Sequence, residues 1–235
     1  MEQKKIIRTE WLKNFAVNKA PQWGKTAEQL RKLGLYRDAA TVFATPHESL
    51  FQARINCLTD GKNLLMPGPG IREGFFLLKA HSIPFKNISV AVTCKGLEKY
   101  GKLLKGSDLS KLPVDLLLTD SLAIDRTGGR IGDGNGFFDL CCALLKELGG
   151  LGHDRGILTF IQEEQISGDM LPQDRWDIKM TGAITPKQIL HFEHSTQEVK
   201  IFWDALPHDR IKRIDPLWKL YKKKQGFKDS RSQGV

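Results

Sequence analysis

Short unbroken apolar runs alternate along this chain with stretches whose apolar residues recur every three or four positions. TVFAT (41–45), NLLMP (63–67), ISVAVT (88–93), VDLLLT (114–119) and ILTFIQ (157–162) are of the first kind and predict strands buried on both faces. Residues 4–15 are of the second kind. Ile7, Trp11, Leu12 and Phe15 fall at helical spacing, with Lys4 and Arg8 one turn apart on a shared face. Helices are also predicted over 26–33, with Gly34 as C-cap, over 47–58, over 71–79 as a short element, and over 137–148. Near the C-terminus, RIKRIDPLWKLYKKK allows Ile211, Ile214, Leu217, Trp218 and Tyr221 one helical face, so this segment is expected to dock on the body.

Strands alternating with helices predict a three-layer α/β/α fold built on a mostly parallel sheet. Ligands of such sheets bind beyond the carboxyl ends of the strands, so the loops after residues 67, 119 and 162 form the expected rim of a site. The organisation expected is a single domain over 1–221 followed by a basic tail, 222–235, without repeats or low-complexity tracts.

Composition narrows this picture little. Hydrophobic residues make up 40% of the 235 and charged residues 27%, as in a soluble globular protein. The longest apolar runs fall short of the roughly 18 residues of a membrane span. MEQKKIIRTEWLK lacks the apolar core of a secretory signal, so a cytoplasmic location is expected. Cys57, Cys94, Cys141 and Cys142 have no zinc-ligand spacing, and no disulfide is expected. The net charge of +9 is concentrated: residues 210–235 hold nine Lys or Arg against Asp215 and Asp229. That basic end, with Trp203, Trp218 and Tyr221 interleaved among lysines, admits either nucleic-acid binding or a solvated helix face.

The chemistry concentrates in GGRIGDGNGFFD, residues 128–139. Gly132, Gly134 and Gly136 leave one side of the loop free of side chains, so that backbone N–H groups there can close on a phosphate. Arg130 adds a planar charged donor, and the helix predicted after the loop aims its positive dipole end at the same place. Asp139 suits either a Mg²⁺ carried by a nucleotide or a cap on that helix. Glycines alone would mark no more than a turn; the flanking arginine and aspartate shift the expectation to ATP. The Walker pattern GxxxxGK[ST] is absent, and the run does not directly follow a strand with an acid about twenty residues on, as a dinucleotide fingerprint would.

VDLLLTDSLAIDRTGGRIGDGNGFFD resembles the 5-formyltetrahydrofolate cyclo-ligase family, with Asp115, Ala123, Asp125, Gly128, Arg130, Gly132, Gly134, Gly136 and Asp139 in register. KKIIRTEW (4–11), GKNLLMP (61–67), FIQEEQI and RWDIKMTGAITP extend the likeness over nearly the whole chain, most closely to a divergent branch with archaeal and synthetase-domain-containing members. The resemblance implies a NagB/RpiA-like fold and ATP-driven closure of 5-formyltetrahydrofolate to 5,10-methenyltetrahydrofolate. By the same likeness, Lys4, Arg8, Arg130 and the backbone of Gly132, Asp133, Gly134, Asn135 and Gly136 would hold ATP, with Arg130 and Lys4 as the catalytic pair. Asp139 and Asp177 would hold Mg²⁺, Phe137 and Phe138 would wall the pterin or nucleotide side, and His47 or Glu48 would replace the family's acidic folate contact. Trp176 suits either ring stacking or the core.

Several positions depart from the family pattern. Asp120-Ser121 stands for Pro-Gly, Phe137-Phe138 for two tyrosines, Leu140 for an arginine and Thr181 for a late aspartate. ATP binding is expected to survive these changes better than folate recognition. The alternatives carried forward are a nucleotide-binding protein of the same fold with another substrate or a regulatory role, and an RNA-binding protein. A monomer or a homodimer is compatible with either.

Overall fold

The computed structural model describes residues 2–15, 21–193 and 198–226. The first half holds α1 (Glu2–Phe15), α2 (Trp23–Lys32), α3 (Gly34–Asp38), β1 (Thr41–Ala44), α4 (Phe51–Thr59), β2 (Asn63–Pro67) and β3 (Phe75–Leu78). It continues through α5 (Ile88–Ala91), α6 (Cys94–Tyr100), β4 (Lys102–Leu104), α7 (Gly106–Leu109) and β5 (Val114–Asp120). A small antiparallel pair, β6 (Ala123–Ile124) and β7 (Arg130–Ile131), leads into α8 (Phe137–Glu147). β8 (Leu151–Phe160), β9 (Gly182–Ile184), β10 (Ile189–His191), α9 (His208–Arg213) and α10 (Asp215–Lys224) complete the described chain.

Eight strands form one sheet in the order β10-β9-β8-β5-β1-β2-β3-β4. The five central ones, β9-β8-β5-β1-β2, are mutually parallel, and antiparallel strands finish both edges. Side chains alternate across the sheet. Val42, Leu64, Met66, Leu116 and Leu118 face a layer that includes Leu30, Ala53, Cys57 and Leu97 from α2, α4 and α6. Phe43, Leu65, Leu117 and Ile157 face α8 together with Ile211 and Leu217 of the two last helices. The mixed, mostly parallel sheet between helical layers is the fold expected.

Two predicted elements are corrected. The short helix expected over 71–79 is instead β3, because Phe75 and Leu77 bury on one face of the sheet while Phe76 and Leu78 bury on the other. The strand expected over 88–93 is the helix α5. Ile88 and Ala91, three residues apart, reach the core while Val90 is 53% exposed. Burial there follows a helical period, which overrides the β-branched composition. Gly34 is not the C-cap of α2: extended Leu33 ends that helix, and Gly34 begins α3.

The basic end is built into the core. Ile211, Ile214 and Leu217 are buried, and Asp215 donates its N–H to the carbonyl of Arg72 at 2.8 Å. Residues 222–226 of the expected tail complete α10 and its turn, while 227–235 lie outside the described residues. Leu217→Ala should therefore cost about 2–5 kcal/mol in denaturant unfolding, the range of a filled core site. A loss within about 0.5 kcal/mol would mark α10 as peripheral.

Candidate functional site

Strands β2 and β5 lie on opposite sides of β1, so the chain reverses its winding between β1 and β5, where ligands of open α/β sheets bind. A cavity of about 530 Å³ opens there, lined by Pro46 and His47 after β1, Asp120 ending β5, and Arg130, Phe137 and Phe138. A second, of about 390 Å³, is lined by Lys4 and Arg8 of α1, Arg130, Gly132 and Gly134 of the loop, and Asp177. The two share Arg130 and Asp133 as lining.

The loop is anchored from below by Asp125. Its carboxylate accepts the N–H of Thr127 (2.7 Å), Gly129 (3.0 Å) and Leu171 (2.9 Å) and the Thr127 hydroxyl (2.8 Å). Gly129 is required there, since a Cβ would stand 2.6 Å from an Asp125 oxygen. Gly134 has φ +94, and a Cβ on it would lie 2.9 Å from the Arg8 guanidinium carbon. Glycine here lets the arginine cross the loop and donate from Nε to the Gly132 carbonyl at 2.9 Å.

The charges lining the second cavity are interleaved. Buried Lys4 bonds Asp174 at 2.7 Å and also Asp177, while Arg130 pairs with Asp139 at 3.1 Å. Asp139 accepts the Ile178 N–H on its other oxygen at 2.9 Å, so both oxygens are engaged outside its own helix. Burial pushes the Asp177 carboxyl above its ordinary range, against the pull of Lys4. Arg130 lies 5.0 Å above the Phe138 ring, and its buried Nε has no hydrogen-bond partner.

These residues fit a nucleotide phosphate. An orphaned buried guanidinium N–H is a donor awaiting an acceptor, and a Cβ on Gly136 would meet nothing within 4 Å at the wall of the cavity. Among the described residues no group of three or more His, Cys, Asp or Glu is arranged to hold a metal by itself. Asp139 and Asp177 fit a Mg²⁺ that arrives with phosphates, since such an ion asks the protein for one or two carboxylates.

Other expected residues fall as follows. His47 caps the turn before α4, taking the Ser49 N–H on Nδ1, and lies 3.6 Å from Asp120. Glu48 is exposed beside it and lines neither cavity. Asn135 bonds back to Asp133 through its backbone N–H at 3.0 Å and its amide at 2.9 Å, which holds the loop tip. Phe137 is half-buried against the first cavity, and Phe138 is packed on Phe43 with ring centroids 6.3 Å apart. Trp176 lines the second cavity. Thr181 has a structural place, its hydroxyl accepting the Ile157 N–H at 2.9 Å. Tyr221 stacks on Trp218 and meets Trp203 at a tilt, with Lys222 over Trp218 and Lys224 over Trp203, so these rings are engaged within the fold.

Three residues were missed from the sequence. Asp174 was hidden because its partner Lys4 is 170 positions away. Asp120 was noted only as a departure from a turn. Arg54 donates to the carbonyls of Thr45 (2.8 Å), His47 (2.7 Å) and Val92 (3.0 Å), fixing the β1 loop; burial draws its pKa down to about 10. Three of the four cysteines are shut away from these groups: burial pushes Cys57 up to about 12 and raises Cys141 and Cys142 as well, while Cys94 lines the first cavity.

The family model for the 5-formyltetrahydrofolate cyclo-ligase family matches residues 1–186. The methenyltetrahydrofolate synthase domain-containing protein of Danio rerio is 26% identical over 212 residues, covering 86% of this chain and 54% of that protein. The 5-formyltetrahydrofolate cyclo-ligase of Mycolicibacterium smegmatis is 30% identical over 74 residues, covering 32% of this chain and 34% of that protein. The chain spans about half the length of the curated synthase domain-containing relatives it matches. The NMR structure of Aquifex aeolicus 5,10-methenyltetrahydrofolate synthetase superposes with TM-score 0.56 at 18% identity, over 86% of this chain and 99% of that one, which establishes the shared fold. Among the described residues no helix is long and apolar enough to cross a membrane.

Helix α1 is held by Lys4, by Arg8 and by Ile7 and Trp11 packed on Ala123, Ile131 and Leu171. Lys4→Met strands two carboxylates and should destabilise by up to about 3–5 kcal/mol, the cost of breaking a buried pair from one side. The loss should appear first as faster amide hydrogen exchange over residues 2–15. Unchanged exchange there would mean that the apolar face alone holds the helix.

Proposed function

The chain belongs to the 5-formyltetrahydrofolate cyclo-ligase family, and from that premise we propose that it is a ligase that uses ATP and Mg²⁺ to convert 5-formyltetrahydrofolate into 5,10-methenyltetrahydrofolate. The observation that carries this reading is the meeting of Lys4, Arg8 and Arg130 with the glycine loop at one cavity, beside a second cavity at the sheet's switch point. Phosphoryl transfer asks a protein chiefly for positioning and charge neutralisation, and those residue types supply both.

In this reading the folate occupies the cavity between His47, Asp120 and Phe137, and the phosphates lie along Arg8, Lys4 and the loop. Arg130 lines both cavities, where the two substrates would meet. The formyl oxygen attacks the γ-phosphorus and ADP departs. N10 then bonds to the activated carbon, loses its proton and expels phosphate. Asp139 and Asp177 would hold Mg²⁺, which when bound neutralises phosphate charge. Lys4 and Arg130 are already paired with carboxylates, so bound phosphate must share or take over those partners. Asp120 brings to the folate cavity a carboxylate that exposed Glu48 does not, 3.6 Å from His47.

A second reading, a nucleotide-binding relative with another substrate, is favoured by Phe137 and Phe138. They wall the first cavity with rings that carry no hydroxyl.

The discriminating experiment follows absorbance at the methenyl-folate band with 5-formyltetrahydrofolate, Mg²⁺ and ATP. A rise that needs ATP is expected. Arg130→Ala should abolish it while weakening ATP binding by about 1.5–3 kcal/mol, roughly ten- to a hundredfold. A flat trace with ATP still bound would replace the ligase reading by the second one. Asp120→Asn should raise KM for the folate severalfold and leave ATP affinity unchanged; an unmoved KM would remove Asp120 from the folate wall.

A further inference from the structure

A third cavity, of about 190 Å³, adjoins the glycine loop on the side away from His47. Its walls are largely apolar. Leu140 and Ala143 come from α8, Trp176 from the loop after β8, Phe202 and Leu206 from the segment that leads into α9, and Arg210 from α9 itself. The last three lie beyond residue 186, where the match to the family ends.

The three cavities stand in a row. The apolar cavity shares Gly134, Gly136, Asp139 and Trp176 with the loop cavity, which shares Arg130 and Asp133 with the cavity at the switch point. The first and last share no lining residue. A nucleotide is built in the same order: an apolar planar base, a charged phosphate chain, and a terminal phosphorus that faces its acceptor. With the phosphates in the middle, the apolar cavity suits the base, whereas a further cavity bordering the loop, of about 690 Å³, is walled by the charged Arg72, Asp209, Arg210 and Arg213. Aromatic and aliphatic walls suit a purine's faces, and Arg210, which has no ion pair among the described residues, adds donors for its ring nitrogens or the ribose.

This wall is braced. The Arg175 guanidinium lies 4.9 Å from the Phe202 ring centroid and 5.9 Å from that of Trp176, and it also pairs with Asp204. The loop that carries Asp174 and Asp177 is thereby fastened to the C-terminal segment.

We propose that the C-terminal segment Ile201–Arg210 forms the base pocket of the nucleotide site, closing over the purine of the ATP whose phosphates occupy the glycine loop. The proposal rests on the ATP reading above. Its test separates base from phosphate by comparing ATP with inorganic tripolyphosphate, each titrated calorimetrically into the full chain with Mg²⁺. Ala205 is exposed on the lip of the cavity, so Ala205→Trp fills it without removing core packing. The unaltered protein should bind ATP at least tenfold more tightly than tripolyphosphate. Ala205→Trp should abolish that advantage and leave tripolyphosphate affinity unchanged, which also certifies that the variant is folded. Equal affinity for the two ligands in the unaltered protein would overturn the base pocket but keep the phosphate site. An ATP affinity unmoved in Ala205→Trp would overturn the base pocket in the same way. Failure of the unaltered protein to bind either ligand would overturn the ATP reading itself, and the base pocket with it.

Discussion

A buried carboxylate has to be satisfied by donors, and in this chain that requirement organises everything around the site. Asp125 is 2% exposed and meets it with three backbone N–H groups and one hydroxyl. Three of those donors come from the turn between β6 and β7, and the fourth is Leu171, forty-six residues on. One side chain therefore closes the turn that delivers Arg130 and ties it to the loop that delivers Asp174 and Asp177. The Gln165 amide at the Ser121 carbonyl and the Ser167 N–H at Ile124 repeat the same tie at 2.7 Å each. Once Asp125 is in place, the register of the glycine loop against its neighbours has little freedom left.

What that scaffold presents is charge of both signs at close quarters. Arg130 sits against Asp139, and Lys4 against Asp174 and Asp177. Such pairing keeps long side chains ordered without a ligand, because each buried ion has a counter-ion, though pairing at this depth gives modest net stability. Its consequence for binding is selectivity. A single anion gains little by competing with carboxylates already in place. On the reading proposed above, a polyphosphate that brings its own cation would replace both halves of each pair at once.

Much of this was legible in the sequence, for identifiable reasons. The continuous apolar runs at 41–45, 63–67, 114–119 and 157–162 are strands because a parallel sheet buries both faces, a pattern visible in one dimension. The edge of the sheet was not legible. FFLL at 75–78 and ISVA at 88–91 have similar composition, and only the partners on either side decide that the first is a strand and the second a helix. The glycine loop declared itself because each glycine answers to a local constraint. Asp174, Arg54 and the wall from Phe202 to Arg210 did not, since their roles exist only across sequence separations that one chain cannot display.

The departures from the family pattern become intelligible when they are taken together in space. By resemblance His47 or Glu48 stands at the position of an acid and Asp120 in place of a turn residue, and the His47 and Asp120 side chains approach within 3.6 Å in one cavity. On the folate reading proposed above, Asp120 supplies that cavity with a carboxylate from the end of β5. Leu140 stands at the position of an arginine, and it floors the apolar cavity whose rim carries Arg210. Here too a charged side chain on another element faces the same space. A site is specified by which groups converge on it, and side chains reach a given point from several backbones. Groups that converge from different elements escape comparison position by position. Where a motif keeps its backbone glycines and loses its polar side chains, the missing groups are therefore to be sought on the neighbouring loops of the same cavity.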